Sequence, residues 1–190
     1  MAEPLRERVA NVIGRLRAEL GPEILWASAA RNPSDAGLLW MLGILQDRHV
    51  GTMLEIGTCH GVMAAVLGLV CKRVTTVDCA AFRPHHADRG GSSAFARVPE
   101  VLATAGASNV WAFLAKDENE KQQIVRRLRF GAAFIDGLHT AAGADFEAVR
   151  HCGCVFFHNA ETQGGVKAFL ATIGPVERCG DFAVWRHPDG

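Results

Sequence analysis

Residues 53–61 read Met-Leu-Glu-Ile-Gly-Thr-Cys-His-Gly, and the next apolar run, Arg73-Val-Thr-Thr-Val-Asp78, closes on a carboxylate. An apolar strand therefore runs into a glycine turn, a small-residue helix follows, and a second strand ends in an acid. Asp78 follows Gly57 by 78 − 57 = 21 residues. That order is one nucleoside-binding half of a doubly wound sheet. The glycines let the backbone pass close to a ligand, and the terminal carboxylate can accept both hydroxyls of a ribose. A turn that merely packs a helix is the weaker reading, because all five features occur in sequence.

The glycine spacing narrows the nucleoside. A dinucleotide site uses G-x-G-x-x-G, whose middle glycine lets a pyrophosphate lie on the backbone. Here that middle position is Cys59, flanked by Thr58 and His60, and their side chains would crowd a pyrophosphate. The pattern is E-x-G-x-x-x-G, carried by Glu55, Gly57 and Gly61. It resembles motif I of the class I S-adenosylmethionine-dependent methyltransferases, whose cofactor has no phosphate.

Composition removes several function classes. A chain of 190 residues with 49% apolar content has enough material for one domain with a real core. Lys+Arg and Asp+Glu are both 20, so a phosphate-backbone binder with a basic excess is not expected. Arg126, Arg127 and Arg129 read as the solvated side of a helix. Tyrosine is absent. The longest apolar stretch, near residues 62–71, is too short to cross a bilayer, and the charged start resembles no signal peptide. The six cysteines read as reduced core thiols of a cytoplasmic protein. Cys152 and Cys154, near His151 and His158, lack the second pair that a structural zinc site needs.

Periodicity orders the rest. Helices are expected over 4–20, ended by Gly21-Pro22, and over 38–46 with Ser34 or Asp35 as N-cap. These N-terminal helices (1–48) belong to the same domain and could form a lid or a homodimer contact. The S-adenosylmethionine-binding catalytic region spans 49–190. Within it, strands are expected at 51–56, 73–78, 109–114, 131–136 and 153–158. Helices are expected at 61–71, 94–105, 119–129, 140–151 and 164–173, the second entered or interrupted near Pro99. A hairpin of 176–179 and 181–187 turns at Gly180-Asp181. The expected fold is α/β: a doubly wound, mostly parallel seven-stranded sheet, Rossmann-like, with an antiparallel C-terminal hairpin. Ligands bind such sheets at the carboxyl ends of the strands, which groups Gly57, Asp78, Asp136 and His158.

Three further blocks extend the resemblance over residues 35–187. Phe134-Ile135-Asp136-Gly137-Leu138-His139 is similar to the D-G-x-H signature of small O-methyltransferases. Cys152-Gly153-Cys154-Val155-Phe156-Phe157-His158-Asn159 is similar to their G-G-x-x-x-x-H-D strand. Gln163-Gly164-Gly165-Val166-Lys167 resembles the helix start that follows. The nearest group is the sugar and macrolide O-methyltransferases, with the catechol-type enzymes more distant. The resemblance implies that Glu55, Gly57, Thr58, Gly61, Asp78, Cys79 and Asp136 hold S-adenosylmethionine. It also implies that His139 is the general base and that a small-molecule hydroxyl is the acceptor. Neither nucleic acid nor membrane is an expected partner.

The same resemblance implies a divalent ion on Asp136, His158 and Asn159. Asn159 stands where the group carries an acid, so magnesium would bind weakly, and manganese, iron or zinc would suit His158 better. Glu161 is a candidate for the missing charge. His85, His86 and Asp88 lie in the loop after the second strand, and Trp26, Trp40 and Trp111 are candidates for an aromatic pocket. Two rival functions remain at this point: an inactive S-adenosylmethionine-binding module, and a nicotinamide-dependent oxidoreductase. Cys59 and the D-G-x-H block both weigh against the oxidoreductase.

Overall fold

A computed structural model describes residues 3–26, 28–80 and 91–188. The seven strands are β1 (Thr52–Ile56), β2 (Arg73–Cys79), β3 (Val110–Ala115), β4 (Ala132–Ile135), β5 (Cys154–Phe157), β6 (Val176–Cys179) and β7 (Phe182–Arg186). They form one sheet in the order β3-β2-β1-β4-β5-β7-β6. The first five are parallel; β7 runs antiparallel to β5 and to β6. The expected fold class is therefore observed. The chain starts at β1 and first builds outward to β3, then returns to add β4 on the other side. This reversal makes the carboxyl ends of β1 and β4 the place where a crevice opens.

The central strands read as unbroken apolar runs because helices cover both their faces. On one face Met53, Val74, Ala132, Phe134, Cys154, Phe156, Phe182 and Val184 meet α1 (Leu5–Leu20), α2 (Ala36–Asp47), α3 (Val62–Leu67) and α5 (Val98–Ala105). On the other, Leu54, Ile56, Ala133, Ile135, Val155, Phe157 and Trp185 meet α6 (Glu118–Arg127), α7 (Ala142–Val149) and α8 (Gly164–Leu170). The alternation along each strand is the period of two that a pleated sheet imposes. At the edge, β3 leaves Trp111 and Phe113 exposed, with the Arg73 guanidinium 5.9 Å from the Trp111 ring.

Local signals set the helix ends. Asp35 Oδ1 accepts the Leu38 N–H at 3.0 Å and caps α2. Asp117 caps α6, its Oδ1 accepting from Glu120 N, and Glu120 Oε2 reaches back to accept from Lys116 N. The helix expected at 94–105 is two pieces, α4 (Gly91–Phe95) and α5, with Pro99 in the first turn of α5, where its missing N–H costs nothing. The helix expected at 61–71 ends earlier, at Leu67, because Gly68 begins a series of turns. The N-terminal helices are built into the core. The four buried residues of α1 join the cluster on one face of the sheet, and α2 packs against β6 and β7.

One ion pair is sealed inside. Lys121, on the helix that reads from sequence as charged and solvated, is only 2% exposed and bridges α6 to α7. Its Nζ lies 3.0 Å from Asp145 Oδ1 and 2.7 Å from Glu118 Oε2, and Gln122 Nε2 donates to Asp145 at 2.6 Å. Removing one member strands the other charge without water. Lys121→Ala is expected to cost about 3–5 kcal/mol in urea unfolding, and Lys121→Met with Asp145→Leu to recover most of it. Equal losses in the single and double variants would show that packing, not charge, decides there.

Candidate active site

Both glycines of the turn after β1 adopt left-handed conformations, φ 105° at Gly57 and 83° at Gly61. At Gly57 space is also decisive. A Cβ there would lie 2.5 Å from the carbonyl oxygen of Asp136, so the turn and the end of β4 touch backbone to backbone. Cys59 is left-handed as well, φ 48°, and this turns its N–H toward the end of β2. That amide donates to Asp78 Oδ2 at 2.7 Å, while Cys79 N–H donates to Oδ1 at 2.7 Å. Cys79 thus serves Asp78 through its main chain. Burial pushes the Asp78 carboxyl above its usual value, and the two amides oppose that shift; the charge of Lys121 also opposes it.

Beneath the turn lies a buried polar chain. Thr76 Oγ1 donates to Glu55 Oε2 at 2.5 Å and contacts Thr58 Oγ1 at 2.6 Å. Thr76 was not singled out from sequence, although it lies two residues before Asp78 and therefore on the same strand face. Burial drives the Glu55 carboxyl well above its ordinary 4.5, with Asp136 and Asp78 adding to the rise and the Thr76 hydroxyl opposing it. Its other oxygen, Oε1, is buried without a hydrogen-bond partner among the described residues. The crevice lined by Gly57, Thr58, Cys59, His60 and Asp136 fits a nucleoside cofactor that needs no pyrophosphate cradle.

The end of β4 and the end of β5 meet in a second cluster. His158 Nδ1 lies 2.9 Å from Asp136 Oδ1, and Asn159 Nδ2 reaches the same oxygen at 3.4 Å. Asn159, left-handed at φ 59°, also places Nδ2 2.9 Å from His139 Nε2. Thr162 donates to Asn159 Oδ1 at 3.2 Å. His158 Nε2 makes no hydrogen bond among the described residues; Asp181 Oδ2 is 3.9 Å away. Burial works against the imidazolium of His158, but the bond to Asp136 and the charges of Asp136 and Asp181 outweigh it, so its pKa is raised above 6.5.

The expected residues are therefore brought together in two groups that share Asp136, but their roles shift. Asp136, His158 and Asn159 converge as a hydrogen-bonded set, not as a cage. Asp136 is the one carboxylate bonded within the set, Asp181 standing 3.9 Å from His158 Nε2; the imidazole nitrogen facing Asp136 is taken, and Asn159 turns its amide hydrogens toward both Asp136 and His139. No group of three or more His, Cys, Asp or Glu able to hold an ion occurs among the described residues. Glu161 does not supply the missing charge, because it pairs with Lys167 at 2.9 Å and Arg178 at 2.6 Å on the surface. This donor set does not fit a divalent ion. Burial pushes the Cys152 thiol up to about 12 and raises Cys154, which makes both inert core thiols. The three tryptophans are not gathered: Trp26 is exposed, Trp40 packs on the core and Trp111 sits on the edge strand. His85, His86 and Asp88 lie outside the described residues.

One contributor was missed from sequence. After Gly21 the chain forms a short 3-10 turn, Pro22–Leu25, and Ile24 and Ser28 line the same crevice as Gly57, Thr58, Cys59, His60 and Asp136. No periodicity marks so short an element.

An α/β sheet of this order with a glycine turn, an acid at the end of β2 and an acid at the switch point defines a nucleoside-cofactor enzyme of the doubly wound class. Residues 54–160 match a family model described as a methyltransferase domain, and the chain belongs to that family. The nicotinamide reading falls with that finding. Comparison with curated proteins gives no match. Among solved structures, the chain is similar to the SAH-bound methyltransferase PaMTH1 of Podospora anserina, at 12% identity and a TM-score of 0.66, covering 98% of this chain and 89% of that one. It is also similar to the O-methyltransferase TomG of Streptomyces achromogenes, involved in tomaymycin synthesis and in complex with SAM (19%, TM-score 0.61, 96% and 89% covered). A third is the O-methyltransferase of Bacillus cereus in complex with SAH (18%, TM-score 0.60, 97% and 90% covered). No helix among the described residues is long and apolar enough to cross a membrane.

Glu55 supplies a pH test of the site. A carboxyl whose folded pKa is raised contributes stability that is complete below its unfolded value and is lost as pH rises toward the folded one. The ligand-free protein should therefore lose thermal stability as pH climbs above about 4.5. Glu55→Gln, which keeps a partner for Thr76, should flatten that slope and melt higher than wild type at pH 8. Parallel melting curves against pH would remove Glu55 as a buried titrating group.

Proposed function

We propose that the protein transfers the methyl group of S-adenosylmethionine to a hydroxyl oxygen of a small molecule, without a bound metal ion. The observation that carries this is the turn at Gly57. It packs on the backbone of Asp136 with no space for a Cβ and, through Cys59 N–H, is tied to Asp78, which supports a cofactor crevice among the ends of β1, β2 and β4. Family membership and the cofactor-bound structural neighbours support the reading.

When bound, the cofactor supplies a sulfonium methyl: the S–C bond breaks with its electron pair going to sulfur as the O–C bond forms. The chain's residues hold and align. Asp78 takes the ribose hydroxyls, both its oxygens keeping a free lone pair after the two amide bonds. Glu55, fully buried, braces the turn from beneath through Thr76 and Thr58. Asp136 orients His158 by the bond to Nδ1, which leaves the lone pair of Nε2 to take the hydroxyl proton. His139 is the weaker candidate for the base that the resemblance assigned to it, because Asn159 occupies its Nε2. The intact Asp136–His158 pair favours a working enzyme over an inactive binding module.

Calorimetric titration with S-adenosylhomocysteine tests the cofactor half. Wild type should bind. Gly57→Val, whose Cβ would meet the Asp136 backbone at 2.5 Å, should bind nothing and should also melt lower than wild type. Asp78→Ala should lose about 1.5–3 kcal/mol, the worth of hydrogen bonds to a charged group. Retained binding in Gly57→Val would put the cofactor in another crevice.

Methyl transfer to an accepted hydroxyl tests the base. His158→Ala should lower kcat by ~10²–10⁴-fold, and His139→Ala far less. Since the base must be neutral and its pKa is raised, the wild-type rate should climb with pH through a value above 6.5 and then level. Asp136→Asn should move that inflection down. Chelator-treated protein should keep its rate; activity lost to chelation and restored by manganese would return the ion to Asp136 and His158.

A further inference from the structure

Resting on that reading, we infer that the cavity between α1 and the 22–31 segment is the acceptor pocket and that it takes an acidic aromatic alcohol, a hydroxylated ring carrying a carboxylate or a phosphate. The cavity has a volume of about 630 Å³ and is lined by Arg17, Pro22, Leu25, Trp26 and Arg31. That is the size of a small-molecule site. Trp26 is 66% exposed, so a broad indole face is open for a flat ring to stack on.

The charges state the other half of the ligand. No acid is among the lining residues. Several surface arginines are paired: Arg97 with Glu100, Arg178 with Glu161, Arg186 with Glu177. The side chains of Arg17 and Arg31 make no ion pair or hydrogen bond among the described residues. Two unpaired guanidiniums on one cavity of a chain with zero net charge form an anion site, and their planar forks match carboxylate and phosphate alike.

The same segment links this cavity to the chemistry. Ile24 and Ser28 line the cofactor crevice beside Gly57 and Asp136, while Leu25, Trp26 and Arg31 line the cavity. Arg31 is near enough to His158 for its charge to oppose protonation of that imidazole. An acceptor anchored by its acid at Arg31 is thus held within the electrostatic reach of the base that its hydroxyl needs.

The test uses the full chain saturated with S-adenosylhomocysteine, titrated calorimetrically with 3,4-dihydroxybenzoate, phenyl phosphate and, as the uncharged ring, catechol. At least one acid should bind about tenfold tighter than catechol, and the tighter of the two names the acidic group. Arg17→Gln and Arg31→Gln should each weaken that acid about tenfold, the share of one charge-assisted hydrogen bond, and leave catechol unchanged. Arg31→Lys should recover part of the loss. Trp26→Leu should weaken all three rings. Every variant should bind S-adenosylhomocysteine as wild type does, which separates a folding defect from a pocket defect. Equal affinity for acid and catechol, no saturable binding of either acid, or wild-type acid binding in Arg31→Gln would each overturn the inference. Failure of the wild-type chain to bind S-adenosylhomocysteine would instead overturn the methyltransferase reading beneath it.

Discussion

The hydrogen bond from Cys59 N–H to Asp78 Oδ2 joins the two halves of the cofactor site. It links the turn after β1 to the end of β2, two points that the parallel ladder alone would leave side by side but free. To make it, Cys59 adopts a left-handed backbone that a side chain ordinarily avoids, at a cost of roughly 1–2 kcal/mol. The Glu55–Thr76–Thr58 chain braces the same turn from below. The turn is thus held from two sides before any ligand arrives, and at Gly57 it packs directly on the backbone of Asp136.

Asp136 stands where the order of the sheet reverses, and for that reason it belongs to both clusters. Its carbonyl forms one wall of the glycine turn, and its carboxylate holds His158 on the neighbouring strand. A sheet whose helices connect β1 to β2 outward and β3 back to β4 must open a crevice at this point, because the helices on either side diverge there. Side chains from β1, β2, β4 and β5 meet there without any being adjacent in the chain. Lys121 and Asp145 lie behind this arrangement, on the helices that flank it, and the charge of Lys121 extends to Asp78. The buried ion pair therefore serves packing and site electrostatics together.

Much of this was legible in the chain itself. The strand at 52–56, its glycine turn and the acid ending the next strand are local patterns, fixed by backbone freedom at glycine and by the period of two in a pleated strand. So are the cap at Asp35 and the alternation of strand and helix that implies a parallel sheet. Gly57, Asp78, Asp136 and His158 could be grouped in advance because each ends or follows a strand, and strand ends of one sheet share an edge.

What tertiary structure alone decided are the interactions set by distance and burial between remote segments. Lys121 reads as one more charge on a polar helix, and only the packing of α6 on α7 makes it a sealed ion pair. The resemblance read from sequence made His139 the base. Asn159, twenty residues from His139 and next to His158, occupies Nε2 of His139 while Asp136 leaves Nε2 of His158 free. Asp136, His158 and Asn159, which the resemblance read as ion ligands, bond to one another and to His139, while Glu161 pairs with Lys167 and Arg178. The segment at 22–31 carries no periodic signal, yet the fold lays it across the crevice. Sequence specifies what each backbone segment can be, since those preferences act over a few residues. Which oxygen meets which nitrogen, and which charge is left without a partner, depends on side chains that only the packed sheet and helices bring within a few ångströms.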